Sequence, residues 1–339
     1  MLTAITMNAL AKYNLTGQQI HYSFINVLTG SDLSSRRLAI MEAKSKNSGP
    51  VVWLTGCVHG EEVGGIAIIQ EIFKKLKKEP LIAGSVYAFP LMNPMGFEMG
   101  SRGIGVSSDD LNRSFPGNLK GSLAERIADK IFTTIMGTNP TLVLDLHNDW
   151  TQSIPYTLID PYPGIEHKEA YEKVKTYAEQ TGLVVINEQE EVDDKDDLKR
   201  TLSGSLLLKN IPAITLELGE AYIVNEQNVE EGVKAIWNIL MKLGMVNPVE
   251  QKMDYPIPAE LKGKVLHYSH QPVSSSSGII RFKVKPGQLV KKDQPIAKIY
   301  NVFGKLEQTL AADRDGIVLG HADSSVALPG EPIVSFGFL

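Results

Sequence analysis

Strand-like and helix-like hydrophobic patterns alternate through the first part of the chain. The apolar run 51–58 predicts a buried strand, because it is short, partly β-branched and closed by Gly60. Between residues 61 and 78, apolar side chains recur at helical spacing and predict a helix. Further strands are predicted at 85–91, 141–146, 155–160, 183–186 and 212–218, and further helices at 122–135, 167–181, 202–209 and 225–242. This alternation is typical of an α/β fold with a mixed, mostly parallel sheet and helices on both faces.

The pattern changes after Gly244. Residues 247–264 contain three prolines and no clear periodicity, which is typical of a linker. From Val265 onward, short strand-like runs alternate with glycine-containing turns, and this predicts a small all-β module. We therefore expect an α/β domain at 1–246, a linker at 247–264 and a β-rich module at 265–339.

The composition narrows the class of protein. Of the 339 residues, 43% are hydrophobic and 22% are charged, which excludes a disordered chain, and the net charge of −5 argues against nucleic-acid binding. No apolar run is long enough to span a membrane, and the first 14 residues lack the basic start of a signal peptide. We expect a cytoplasmic protein that binds neither nucleic acid nor membrane, and a homo-oligomer is left open. The single cysteine, Cys57, excludes an intramolecular disulfide and a cysteine-based zinc cluster.

Three metal-ligating residue types follow two of the predicted strands. His59 leaves the strand 51–58, and we expect Glu62 on the first turn of the next helix, so that both side chains converge. His147 lies at the end of the strand 141–146, and ligands bind at strand ends in open α/β sheets. Two histidines and one glutamate form a catalytic zinc set with one position open for water. The alternative is that His59 is only hydrogen-bonded and that Glu62 only favours the helix dipole.

Three more polar side chains accompany this set. Asp145 points the same way as His147, either as its hydrogen-bond partner or as a buried structural group. Arg113, in a long loop at 92–121, has the planar fork that binds a carboxylate, unless it pairs with Asp109 or Asp110 and only shapes the loop. Glu217 lies among apolar residues near a strand end, where burial is costly unless the carboxylate has a function. A general base beside a zinc-bound water would be such a function.

Together, the motifs GxxHGEE, DLNRSFPG, DLH and ITLELGE resemble those of the succinylglutamate desuccinylase/aspartoacylase family, over roughly residues 48–240. These are deacylases with a fold like that of zinc carboxypeptidases. The resemblance implies one zinc per chain, and Glu217 as the catalytic base and proton shuttle. It implies removal of the acyl group from a small N-acyl amino acid or related compound. The zinc ligands that it implies are His59, Glu62 and His147, and the substrate-binding residues are Arg102, Asn112 and Arg113.

The C-terminal module is similar to biotinyl and lipoyl carrier domains. Lys305 lies 11 residues before Gly316, about where a carrier lysine would be. Its neighbours Gly304 and Leu306 differ from the residues that flank modified lysines in those carriers, so we expect Lys305 to be unmodified. Two alternatives to a deacylase remain: a metallocarboxypeptidase acting on short peptides, and a non-catalytic carrier or binding protein built on the β module.

Overall fold

The computed structural model describes residues 19–30, 33–188 and 198–339. The sequence also predicts a solvated loop for the acidic run at 188–197, which lies almost entirely outside the described residues. The helices are α1 Gly64–Lys78, α2 Pro94–Met99, α3 Leu123–Met136, α4 Lys168–Gln180, α5 Leu202–Leu207 and α6 Glu226–Lys242. The strands up to α6 are β1 Ile20–Thr29, β2 Ser35–Lys44, β3 Val51–Gly56, β4 Ser85–Phe89, β5 Leu142–Asp149, β6 Gln152–Ser153, β7 Pro155–Ile159, β8 Val184–Asn187 and β9 Ala213–Glu220. The later strands are β10 Val265–Ser269, β11 Gly278–Phe282, β12 Leu289–Val290, β13 Pro295–Tyr300, β14 Leu306–Ala311, β15 Gly316–His321, β16 Val326–Ala327 and β17 Val334–Phe338.

One large mixed sheet organises the described part of the chain. Its order is β1-β2-β4-β3-β5-β9-β7-β8-β10-β17-β15-β12, with β6 attached to β15. The strands β4, β3, β5 and β9 are parallel neighbours, whereas β7 runs antiparallel to β9. The predicted mixed sheet is confirmed. Antiparallel pairs at both ends of the sheet make it less parallel than expected.

Helices cover both faces of this sheet, as predicted. Along β3, Val52 and Leu54 pack in the same apolar cluster as residues of α1, α4 and α6. Trp53, between them, packs in a second cluster with residues of α3 and α5. Alternate side chains of a strand point to opposite faces, so β3 contributes to both cores. A capping box begins α3, with Ser122 and Glu125 bonded reciprocally.

The N-terminal hairpin of β1 and β2 was not predicted from the sequence. These strands pair in antiparallel register, and β2 pairs with β4 at the edge of the parallel strands. Most residues of β1 are exposed or only partly buried, including Tyr22 and Phe24. A strand with so few buried positions gives a weak hydrophobic alternation, which explains why the pattern missed it.

The C-terminal strands both form a separate sheet and extend the main one. A four-stranded sheet has the order β14-β13-β11-β16, which supports the predicted all-β module in part. However, β10 lies parallel to β8, and β17, β15 and β12 continue the main sheet beyond it. Lys305 is exposed in the turn between β13 and β14. The division at 247–264 therefore stays a proposal, and the strands after it share a sheet with the strands before it.

None of the helices in the described ranges is both long and apolar enough to cross a membrane.

Candidate active site

Two imidazoles and one carboxylate meet in the interior of the protein. His59, Glu62 and His147 are all buried, and one ligand atom from each lies within 4.8 Å of the others. Glu62 Oε1 is 2.5 Å from His59 Nδ1, and Glu62 Oε2 is 3.0 Å from His147 Nδ1. The carboxylate thus lies between the two rings. The structure brings together the three residues that the sequence selected as metal ligands.

The backbone places Glu62 differently from our expectation. The helix after β3 begins at Gly64, so Glu62 lies in the connecting loop and not on the first helical turn. The start of this helix packs closely against the end of β5. An added Cβ on Gly64 would lie 2.7 Å from the Asn148 side chain, and one on Gly65 would lie 3.0 Å from Leu146. Asn148 also holds the loop between β3 and α1, because its Oδ1 accepts a hydrogen bond from Gly64 N and its backbone N donates one to Glu62 Oε2. The loop is therefore held against the end of β5.

The chemistry of these donors fits a divalent metal. Burial opposes ionisation of Glu62, but the charges and hydrogen bonds of both histidines outweigh it and hold the pKa of this carboxyl well below its usual value. Burial also opposes a charge on His147, yet Glu62 and Asp145 raise its pKa well above the usual value. The site thus has an ionised carboxylate between two imidazoles. Nitrogen from histidine and oxygen from glutamate are ligands that zinc prefers.

Asp145 orients one of the candidate ligands. Its Oδ2 lies 3.0 Å from His147 Nε2, while its Oδ1 accepts a hydrogen bond of 2.6 Å from Thr55 Oγ1. Because His147 Nε2 is engaged by Asp145, Nδ1 is the nitrogen that faces Glu62. Of the two roles considered for Asp145, the structure shows direct contact with His147. A histidine held in this way by a carboxylate is typical of metal sites.

Arg102, and not Arg113, pairs with the aspartate of the long loop. Arg102 Nη2 and Nε lie 2.8 and 2.9 Å from Asp110 Oδ2. Asp110 Oδ1 is in turn 3.3 Å from His59 Nε2. Burial raises the pKa of Asp110, but His59 and Arg102 lower it by more, so the net pKa lies below its usual value and this carboxyl is ionised. Asp110 thereby links the loop to a candidate metal ligand.

Arg113 is another residue for which the sequence left two roles open. Within the described ranges it makes no ion pair shorter than 4.0 Å, so the suggested pairing with Asp109 or Asp110 is wrong. Its Nη1 donates to the carbonyl of Asn112 at 2.9 Å. The Oδ1 atom of Asn112 accepts from Leu202 N at 3.0 Å and so fixes the loop to the start of α5. The guanidinium therefore faces the cavity with its charge available.

Glu217 lies on β9 directly opposite His147 on β5. Its Oε2 atom is buried and has no hydrogen-bond partner among the described residues. Burial raises the pKa of Glu217 well above its usual value; the charge of His147 lowers it, while nearby carboxylates raise it further. A buried carboxylate with a raised pKa holds a proton more readily than a free one, which suits a group that accepts a proton and then returns it.

All seven site residues that the sequence predicted line one cavity of about 310 Å³; they are His59, Glu62, Arg102, Asn112, Arg113, His147 and Glu217. It extends from the cluster of His59, Glu62 and His147 across the sheet face that carries Thr215 and Glu217. The long loop between β4 and α3 contributes to its wall and is partly ordered by α2 and by 3-10 turns at Gly105–Ser107 and Leu111–Arg113. The sequence placed these polar residues at strand ends, at a helix start and in the long loop, and the structure unites them in a single pocket.

Several acidic lining residues were not selected from the sequence. They are Glu61, Asp149, Asp160, Glu188 and Asp323. Asp160 had a usable signal, because it directly follows an apolar strand. Asp323 had none, since it comes from the C-terminal strands and reaches the cavity only through the fold. Its Oδ1 accepts a hydrogen bond of 2.6 Å from Thr151 N, so the C-terminal part contributes to the pocket wall.

Comparison with known proteins identifies the family of this chain. The family model of the succinylglutamate desuccinylase/aspartoacylase catalytic domain matches residues 48–243, and the chain belongs to this family. A protein of Halomonas elongata named N-alpha-acetyl-L-2,4-diaminobutyric acid deacetylase is 27% identical over 278 residues, which are 80% of this chain and 78% of that one. The predicted family and the prediction of an amidohydrolase are therefore confirmed.

Solved structures show the same fold over nearly the whole chain. The product-bound ectoine utilization protein EutE (DoeB) of Ruegeria pomeroyi has a TM-score of 0.78 at 20% identity, covering 97% of this chain and 98% of that one. A succinylglutamate desuccinylase/aspartoacylase of Rhodobacter sphaeroides has a TM-score of 0.75 at 22% identity, covering 95% of each chain. Because the similarity covers so much of the chain, it includes the C-terminal strands.

Proposed function

We propose that the protein is a zinc-dependent deacylase that hydrolyses the amide bond of a small N-acyl amino acid. The observation that supports this most strongly is the single cavity that joins His59, Glu62 and His147 to Glu217 and Arg113. The family membership supports an amide-cleaving enzyme, and the name of the Halomonas relative supports an N-acetylated amino acid as the substrate class.

Each residue of the cavity has a role in the proposed reaction. His59, Glu62 and His147 would hold the zinc, which when bound polarises the scissile carbonyl and lowers the pKa of water. Glu217 accepts a proton from the attacking water and returns it to the leaving nitrogen. Arg102 and Asn112 position the amide, and the available guanidinium of Arg113 holds the substrate carboxylate. Asp145 and Asp110 keep the two imidazoles in place.

A substrate panel tests this proposal. Purified protein is treated with a chelator, reloaded with zinc, and assayed for amine release from N-acetyl and N-succinyl amino acids and from dipeptides with a free carboxyl end. We expect hydrolysis of the acyl amino acids that is lost with the chelator and restored by zinc. Preferential cleavage of the dipeptides would favour the carboxypeptidase alternative, and metal-independent hydrolysis would contradict the proposal.

Arg113→Lys should weaken substrate binding selectively. The lysine keeps the charge but removes the planar fork, so we expect KM for an N-acetyl amino acid to increase by about tenfold or more. The effect on the matching carboxamide should be smaller, because the neutral amide cannot form the bidentate ion pair with the fork. Arg126→Lys, an exposed position on α3, is the control. Equal losses on acid and carboxamide would show that Arg113 only shapes the loop.

A further inference from the structure

Carboxylates dominate the wall of the active-site cavity. Seven acidic residues line it, against two arginines, and one of these, Arg102, is already paired with Asp110. Even a bound divalent metal would not balance this surplus of negative charge. A substrate with two carboxylates would meet repulsion in such a pocket, whereas a substrate with a positive group would be attracted.

Two of these acids lie together beside Arg113. Asp160 directly follows β7 and Glu188 directly follows β8, which are parallel neighbours, and Glu188 N donates to the carbonyl of Ile159 at 3.2 Å. The charge of Arg113 acts on both carboxylates. Leu158 and Leu198 complete the apolar part of this end of the cavity. We call Asp160, Glu188 and Arg113 the inner end.

The two carboxylates of the inner end have no positively charged group in direct contact among the described residues. Asp160 is 8% exposed and accepts a hydrogen bond from the Ser203 side chain, whereas Glu188 is partly exposed, and within the described ranges neither has a cation within 4.0 Å. Burial raises the pKa of Asp160 to about 6 and that of Glu188 to about 7. Placing a buried and a partly buried carboxylate side by side without a close cation costs free energy, so such a pair is expected where a ligand supplies the cation.

Four of the other five lining acids are less available to a ligand, and the fifth, Glu61, is a single carboxylate whose Oε2 atom is buried without a hydrogen-bond partner among the described residues. Asp149 Oδ2 accepts a hydrogen bond of 3.0 Å from Tyr156 Oη, and Asp323 is exposed and bonded to Thr151 N. Glu62 and Glu217 belong to the proposed metal and proton-transfer sites. Asp160 and Glu188 are therefore the best-placed pair of carboxylates for recognising a cation within the cavity.

We propose that Asp160 and Glu188 hold a free ammonium group of the substrate while Arg113 holds its carboxylate. The substrate class is then an N-acyl diamino acid in which one amine is acylated and the other is charged, and not an N-acyl dicarboxylic acid. This inference rests on the proposed deacylase function. The Halomonas relative, whose name specifies an acetylated diamino acid, agrees with it.

A matched pair of substrates tests the inner end. Zinc-loaded wild-type protein, Asp160→Asn and Glu188→Gln are assayed with N-α-acetyl-2,4-diaminobutyrate and with N-acetyl-2-aminobutyrate, which lacks only the ammonium group. Both substitutions are nearly isosteric and remove one negative charge. We expect KM for the diamino substrate to increase at least tenfold, and KM for the neutral analogue to change less than threefold. Glu172→Gln, an exposed position on α4 outside the cavity, is the control and should affect neither substrate. Asp323→Asn, at the cavity wall, tests the alternative position of the ammonium group.

Three outcomes would overturn the inference. Equal losses on both substrates would mean that Asp160 and Glu188 are structural. A selective loss in Asp323→Asn instead would place the ammonium elsewhere. Metal-dependent hydrolysis of N-acylated aspartate or glutamate in preference to both test substrates would also overturn the inference, although the proposed deacylase function would stand.

Binding of the free amino acid separates a failure of the inference from a failure of the function. If no N-acyl amino acid is hydrolysed, the deacylase proposal fails. Calorimetry with 2,4-diaminobutyrate then tests the inner end alone. Binding to the wild type that is weakened at least tenfold by Asp160→Asn supports the ammonium site, and undiminished or absent binding overturns it.

Discussion

Glu217→Gln is expected to lower kcat by roughly 10²–10⁴-fold while the protein stays folded and keeps its zinc. The amide is nearly isosteric with the carboxylate, so the packing of β9 is preserved. It cannot accept the proton of the attacking water, which is the step assigned to the buried Oε2 atom. The measurement is kcat on an N-acetyl amino acid, together with zinc content by elemental analysis.

Glu220→Gln provides the matched control on the same strand. Glu220 does not line the cavity, and its Oε2 accepts hydrogen bonds from the Asn225 and Asn228 side chains. We expect its substitution to leave kcat within a few-fold of the wild type. If Glu217→Gln instead loses zinc while turnover per bound metal is unchanged, Glu217 is a ligand or a structural group and its assignment as the base is wrong.

His59→Ala and His147→Ala should each abolish stoichiometric zinc binding and reduce hydrolysis to background. Each substitution removes one of three protein ligands and leaves the Glu62 carboxylate buried with a single imidazole. We expect zinc affinity to decrease by well over tenfold, since even the loss of a group that only orients a ligand costs about 10–100-fold. Glu62→Ala should have the same effect.

The control for the ligand substitutions is His167→Ala. His167 precedes α4, outside the cavity, where its ring bonds Asn210. Zinc content and activity should be unchanged in this variant. Retention of one zinc per chain after both His59→Ala and His147→Ala would rule out the proposed centre.

The hydrophobic pattern predicted most of the α/β elements because their buried faces are long and regular. The strands β3, β5 and β9 alternate between the two apolar cores, and α1, α3 and α6 each bury one face. The polar exceptions to this pattern were equally informative. His147 and Glu217 interrupt apolar strands near their ends, and neighbouring parallel strands bring such residues together.

The remaining features depend on contacts between distant parts of the chain. Glu62 lies before α1 because Gly64 and Gly65 pack against β5, which no local pattern reveals. The pairing of Arg102 with Asp110 depends on how the loop after β4 folds back over His59. Asp323 reaches the cavity only because the C-terminal strands join the main sheet beyond β8. All three features depend on tertiary contacts, and local periodicity carries no information about such contacts.

Diffraction from zinc-loaded crystals, recorded on both sides of the zinc absorption edge, tests the central claim most directly. The account predicts one strong anomalous peak per chain, about 2.0–2.2 Å from a nitrogen of His59, a nitrogen of His147 and an oxygen of Glu62. No peak among these three side chains in crystals of catalytically active protein, or a peak held by other residues, would contradict it.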